Sequence, residues 1–244
     1  MRTLLNPYRF AITAAPMIDT TGLTLWFKGY AGMLIGGIPP ADGGTIDQLE
    51  NQIGVTDALQ TTAGARPTWH DNVINGKGIV RFDGIDDFLS VANGVDTDLL
   101  YPLTFFFLIN IPAFTSHTML LSKGTSGAVS QYSTYINPPI FPGRIFYCAD
   151  TCQAVDGLTA ALWERLIVRA DTGTALLKFY RNGVEVGSGS IPTQSSAVAA
   201  ALIGKRVDGL FNPFDMVELG MFNRNLSDTE ITNLDLYMAG VVGA

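Results

Sequence analysis

Charged side chains are scarce in this sequence, and the shortage bounds what it can do. Only 15% of residues are Asp, Glu, Lys or Arg, against roughly 25% in an ordinary soluble domain, while 47% are hydrophobic. Such a surplus of apolar side chains points to surface buried against other chains, as in a homo-oligomer or larger assembly. Basic residues are the rarer sign, 15 against 22 acidic ones, giving a formal net charge of -7. Without a Lys/Arg cluster to neutralise phosphates, nucleic acid is excluded as a partner and anionic membranes are disfavoured.

Long hydrophobic runs are missing as well. The most apolar stretch, Leu99 to Phe114, is too short to cross a bilayer and is interrupted by Pro102, Asn110 and Pro112, so no membrane insertion is expected. It reads instead as a central strand buried on both faces. Near the start, Asn6, Pro7 and Arg9 break the apolar core that a secretory signal needs.

Reactive side chains are few. The two histidines, His70 and His117, sit in turn-like surroundings, and neither accompanies a nucleophile elbow. Cys148 and Cys152 are four apart; opposed across a narrow hairpin they form a disulfide if the geometry allows, and two free thiols are the other reading. A zinc site lacks its remaining ligands nearby. Glu50, Glu164, Glu185, Glu218 and Glu230 never fall in pairs on one strand, so the paired carboxylates of a glycoside hydrolase are absent. A protein that is not an enzyme is expected.

What is plentiful is alternation with period two, the mark of strands with one buried face. Ile79 to Val91 reads as two apolar strands joined by an Asp83-Gly84 turn, a hairpin. Leu23, Leu25 and Phe27 alternate with Thr24, Trp26 and Lys28, with Trp26 read as a packing residue; Thr104 to Ile109 reads as a central strand. Asn182-Gly183 joins two further strands by a tight turn, and Ala201 to Gly204 and Met216 to Arg224 supply the last ones. Ser227 and Glu230 have the capping-box spacing, opening a helix to about Ala239 with Ile231, Leu234 and Met238 buried and Gly240 as its stop. The whole is an all-β, two-sheet antiparallel β-sandwich over residues 21–244. An extended N-terminal arm (residues 1–20) precedes it, and a short C-terminal helix closes it.

Several phrases carry a family likeness: VRFDGIDDFLSV around the Asp83 turn, LTLWFKGYAG at the first strand, FYRNGVEVGSGS at the Asn-Gly turn and FNRNLSDTEITNL at the end. They resemble the laminin-G-like, concanavalin A-like lectin/glucanase domains, from about Gly22 to Gly240. The resemblance implies a concanavalin A-like jelly roll. Ile46-Asp47-Gln48-Leu49 stands where that family has a tryptophan, which puts any contact of that side chain in doubt. The opening phrase Leu4 to Phe10 resembles the start of bacteriophage virion proteins. That likeness implies a virion structural protein, a capsid decoration or tail component located in the phage particle, whose arm docks through Tyr8 and Phe10.

Two ligand classes follow as expectations. Asp83, Asp86 and Asp87 are close enough in sequence to share calcium, a hard cation taking several oxygens, although the same aspartates also close a turn; Asp208 and Asp215 mark a second, weaker acidic loop. For surface glycans, Trp69, Tyr132 and Tyr135 are the aromatics expected on loops, where sugar rings stack beside hydrogen-bonding side chains. A glycan-binding lectin-like module is thus the alternative to a purely structural role.

Overall fold

The computed structural model describes residues 18–114, 118–126, 129–137, 143–211 and 213–243. Tyr8, Phe10 and His117 lie outside them.

Alternation becomes strand at β1 (Leu23–Lys28), where Leu23, Leu25 and Phe27 are buried and Thr24, Trp26 and Lys28 are half-buried. Short strands β2 (Met33–Leu34), β3 (Gln48–Leu49) and β4 (Ala58–Leu59) organise a segment rich in Gly and Pro. There follow β5 (Thr68–Ile74), β6 (Lys77–Asp83), β7 (Leu89–Val91), β8 (Leu103–Asn110), β9 (Thr118–Ser126) and β10 (Val129–Asn137). The remainder is β11 (Arg144–Cys148), β12 (Cys152–Val155), β13 (Trp163–Asp171), β14 (Leu176–Arg181), β15 (Val184–Ser190), β16 (Ala201–Ile203), β17 (Pro213–Phe222) and the helix α1 (Asp228–Val242).

These strands form two antiparallel sheets. The first runs β15-β14-β13-β8-β17-β6-β5, with β1 also paired to β17; the second runs β12-β11-β10-β9-β16-β7-β4-β3-β2. Between them lies one core that includes Leu25, Phe27, Phe82, Phe105, Phe107, Tyr132, Tyr147, Phe179 and Phe214. Phe82 and Phe214, cross-strand partners, stack with centroids 4.6 Å apart. The first sheet is buried on its other face too: Phe106, Leu108, Val217 and Phe222 pack with Ile231, Leu234 and Met238 of α1. This is why β8 is apolar at successive positions rather than alternate ones, as the unbroken run predicts. Gly220 makes room there, since a Cβ on it would strike the Phe106 ring.

The helix begins at the expected capping box, with Glu230 N–H donating to Ser227 Oγ and Ser227 N–H donating to the Glu230 carboxylate. It runs past Gly240 to Val242, and Gly243, at φ 75°, is the left-handed cap. Burying Val241 against the sheet offsets the cost of about 1 kcal/mol for a glycine inside a helix. Asn182 and Gly183 both have positive φ, 48° and 82°, as the tight turn between β14 and β15 requires. Cys148 and Cys152 face each other across β11 and β12 and are joined by a disulfide.

The Asp83 region departs from expectation. It is not a hairpin: β6 pairs with β5 and β17 in the first sheet, and β7 with β16 and β4 in the second. Residues 83–88 therefore cross from one layer to the other. Asp83 Oδ1 accepts the N–H groups of Ile85, Asp86 and Asp87, so donors that a hairpin ladder would use are spent inside the turn. The crossover lets Phe82, Leu89 and Val91 reach the same core from opposite sheets.

Candidate functional site

With α1 on the first sheet, the candidate site lies on the second, where β4 pairs with β7. Ala58, Leu89 and Val91 point inward, which turns Leu59 and Ser90 outward. A hollow of about 560 Å³ lies there, lined by Leu59, Gln60, Thr61, Thr62, Phe88, Ser90, Ala92, Asn93 and Ala200. It shares Leu59, Gln60 and Thr61 with a neighbouring hollow of about 360 Å³ that adds Gly36, Gly37, Asp47, Gln48 and Arg66. The two form one groove.

Its walls are held from behind. The Gln60 amide donates to the Phe88 carbonyl at 3.0 Å and accepts from Thr62 N–H at 2.9 Å, locking β4 to the end of the acidic crossover. Lys205 Nζ lies 4.2 Å from the centroid of the Phe88 ring and fixes it. Leu59, 46% exposed, and Phe88 offer apolar contact, and Thr61, Thr62 and Ser90 offer hydroxyls. Asp47 is the one carboxylate in the lining, and it is tied to Arg66 at 3.5 Å and to Gly36 N–H. Such a surface can bind by contact and hydrogen bonding; it lacks a pair of carboxylates to cut a bond.

The expected aromatics are not brought together. Trp69 is no loop residue: it lies in β5 of the first sheet, packs against the core and donates Nε1–H to the Gly29 carbonyl at 2.8 Å. Tyr132 is not on a loop either; it is 1% exposed inside the sandwich, its hydroxyl donating to the Thr97 carbonyl. Tyr135, also on β10 rather than a loop, faces away from the core and stacks on Phe146 at 5.0 Å, its hydroxyl 3.5 Å from Cys148 Sγ. His70 is in β5, with Nε2 3.1 Å from Thr68 Oγ1. The groove residues escaped sequence reading because β4 and β7 are two and three residues long, too short to display a period. Phe88 lies within the family-like phrase, and that was the available signal.

Asp83, Asp86 and Asp87 do converge, offering ligand oxygens within 4.8 Å of one another. Asp83 Oδ1 is already engaged by the turn, and Asp87 Oδ2 accepts the Asp83 N–H at 2.9 Å. Three carboxylates are fewer than the six to eight oxygens that calcium takes, so an ion here would need further ligands. Burial pushes the Asp87 carboxyl up to about 6, reinforced by the Asp83 and Asp86 charges; the Asp83 N–H bond opposes this.

Among the buried carboxylates outside the groove, Glu218 is fully enclosed. Glu218, on the outer face of the first sheet, accepts from Trp26 Nε1 at 2.8 Å, from the Tyr237 hydroxyl at 2.9 Å and from the Tyr30 hydroxyl. Burial and the Glu218 charge raise the Tyr30 hydroxyl far above its ordinary value. Tyr30 thus stands as a hydrogen-bond donor to Glu218.

The fold is a two-sheet antiparallel β-sandwich, and comparison with solved structures agrees. Trypanosoma rangeli sialidase superposes with a TM-score of 0.61 at 14% identity, over 90% of this chain and 33% of that one. The same enzyme with the inhibitor DANA gives 0.62 at 13%, over 92% and 35%. The binding domain of Paraclostridial Mosquitocidal Protein 1 gives 0.64 at 11%, over 88% and 52%. The chain spans about a third of the sialidase and about half of that binding domain. At these identities the likeness is one of fold. By sequence, no family model and no curated protein matches.

Proposed function

We propose that the chain is a non-catalytic attachment module, a lectin-like sandwich that serves as a structural component of a bacteriophage particle and holds a surface glycan in the groove beside β4 and β7. The observation that carries the binding reading is the groove lining: hydroxyls and an apolar platform on a braced floor, with a single, already paired carboxylate. The neighbouring folds include a protein named as a binding domain, which supports the same reading. The particle setting rests on the virion-like opening phrase, the low charge and the expected arm contacts through Tyr8 and Phe10. A homo-oligomer fits the apolar composition and would multiply weak single-site contacts.

The test is a glycan array with and without calcium, run on the protein and on Phe88→Ala. Retained spots that vanish in the variant are expected. An array blank in both conditions, or binding indifferent to Phe88, removes the glycan reading. Particles that keep their shape and protein inventory without this chain would remove the structural role.

A further inference from the structure

Lys123 is fully buried in β9, although lysine is rarely enclosed without a purpose. Its register partners are Tyr132 and Ala201, both core residues, so its stem runs through the interior toward one end of the second sheet. There Nζ donates to the Asn93 side-chain carbonyl oxygen and, at 2.6 Å, to the Ala199 carbonyl. Asp98, an exposed carboxylate held by Gln131 Nε2 and Ser196 Oγ at 3.1 Å each, is the acidic group whose charge bears on Lys123. An amine held against a carboxamide, with the lysine enclosed, is the pair of groups that transamidation joins, and a carboxylate within electrostatic reach can serve as its base.

We infer that Lys123 and Asn93 are joined by an intramolecular isopeptide bond. The neutral Lys123 Nζ attacks Asn93 Cγ, and the carbonyl electrons move onto Oδ1. Asp98 takes the proton from Nζ and delivers it to Nδ2; the carbonyl re-forms, the Cγ–Nδ2 bond breaks and ammonia leaves. One C–N bond is made and one is lost, so no oxidant or reductant is needed. Desolvation lowers the Lys123 pKa against the opposing charge of Asp98 and so favours the neutral amine that must attack. Asn93 lies at the exposed rim, which gives ammonia a way out. The bond would tie the loop after β7 to β9 across the intervening β16, bracing the sheet that carries the groove.

The test is the mass of the full chain, reduced and denatured, with tandem mass spectrometry of a digest. A deficit of one ammonia and a branched peptide joining the Asn93 and Lys123 segments are expected, with the full mass restored in Lys123→Arg and in Asp98→Asn. A wild-type mass equal to that of the sequence overturns the bond. A deficit that survives Lys123→Arg also overturns it, because it assigns the loss to a succinimide at an Asn-Gly pair such as Asn75-Gly76, Asn93-Gly94 or Asn182-Gly183. Should the arginine variant fail to fold, the wild-type digest decides alone: a branched peptide supports the bond, and linear peptides refute it. A branched peptide in Asp98→Asn would remove Asp98 from the proton transfer.

Discussion

Replacing Asp87 by asparagine should make the protein more stable at neutral pH. Asp87 is buried and its carboxyl is pushed up to about 6, so holding it ionised in the fold costs free energy. The rise from the ordinary aspartate value of 3.8 is equivalent to about 3 kcal/mol. The sign follows from proton linkage: between pH 3.8 and about 6 the folded state keeps a proton that the unfolded chain has lost, so stability falls as pH rises through that window and is flat above it. Asparagine retains an oxygen to accept the Asp83 N–H but adds an amide that needs an acceptor, which trims the expected gain to about 2 kcal/mol. Urea unfolding of both proteins at pH 4 and pH 7.5, without calcium, measures it. The variant-minus-parent difference should be near zero at the lower pH and about 2 kcal/mol at the higher. A variant less stable at pH 7.5, or a difference unchanged between the two values, would refute the reasoning.

Two further outcomes are expected from the same unfolding assay. Glu218→Ala should cost about 3 kcal/mol or more, because Trp26, Tyr30 and Tyr237 each lose their acceptor, and Glu218→Gln should cost less. Replacing Cys148 and Cys152 together by serine should cost about 2 kcal/mol or less, since the bridge closes a very short loop; a larger loss would mean that the disulfide holds more than the β11–β12 turn.

The framework was legible wherever a signal was local. The alternation of Leu23, Leu25 and Phe27, the Asn182-Gly183 turn, the Ser227 capping box and the unbroken apolar run of β8 each appear in the fold as read. The Asp83-Gly84 turn was also real, with Gly84 at φ 77°, yet the strands it joins part company. Pairing depends on distant β17 and β16, and no local pattern records that. The same limit hid the groove. Gln60, Phe88 and Asn93 meet because β4 and β7 pair although residues 60–88 separate them. Tyr132 misled for the opposite reason: its proline-rich, glycine-rich surroundings suggested a loop, while its hydroxyl found the Thr97 carbonyl and let the ring be buried.

Strand β17 bonds to β8 along one edge, and along the other to β6 and then β1. A polypeptide emerging from the ribosome would thus display β6 and β8 with a vacancy between them until residues 213–222 arrive, hydrogen-bonding edges and Phe82, Phe105 and Phe107 unshielded. Closure of that layer waits on residues 213–222, and molecules in which this strand docks late are at risk of exchanging it with neighbours.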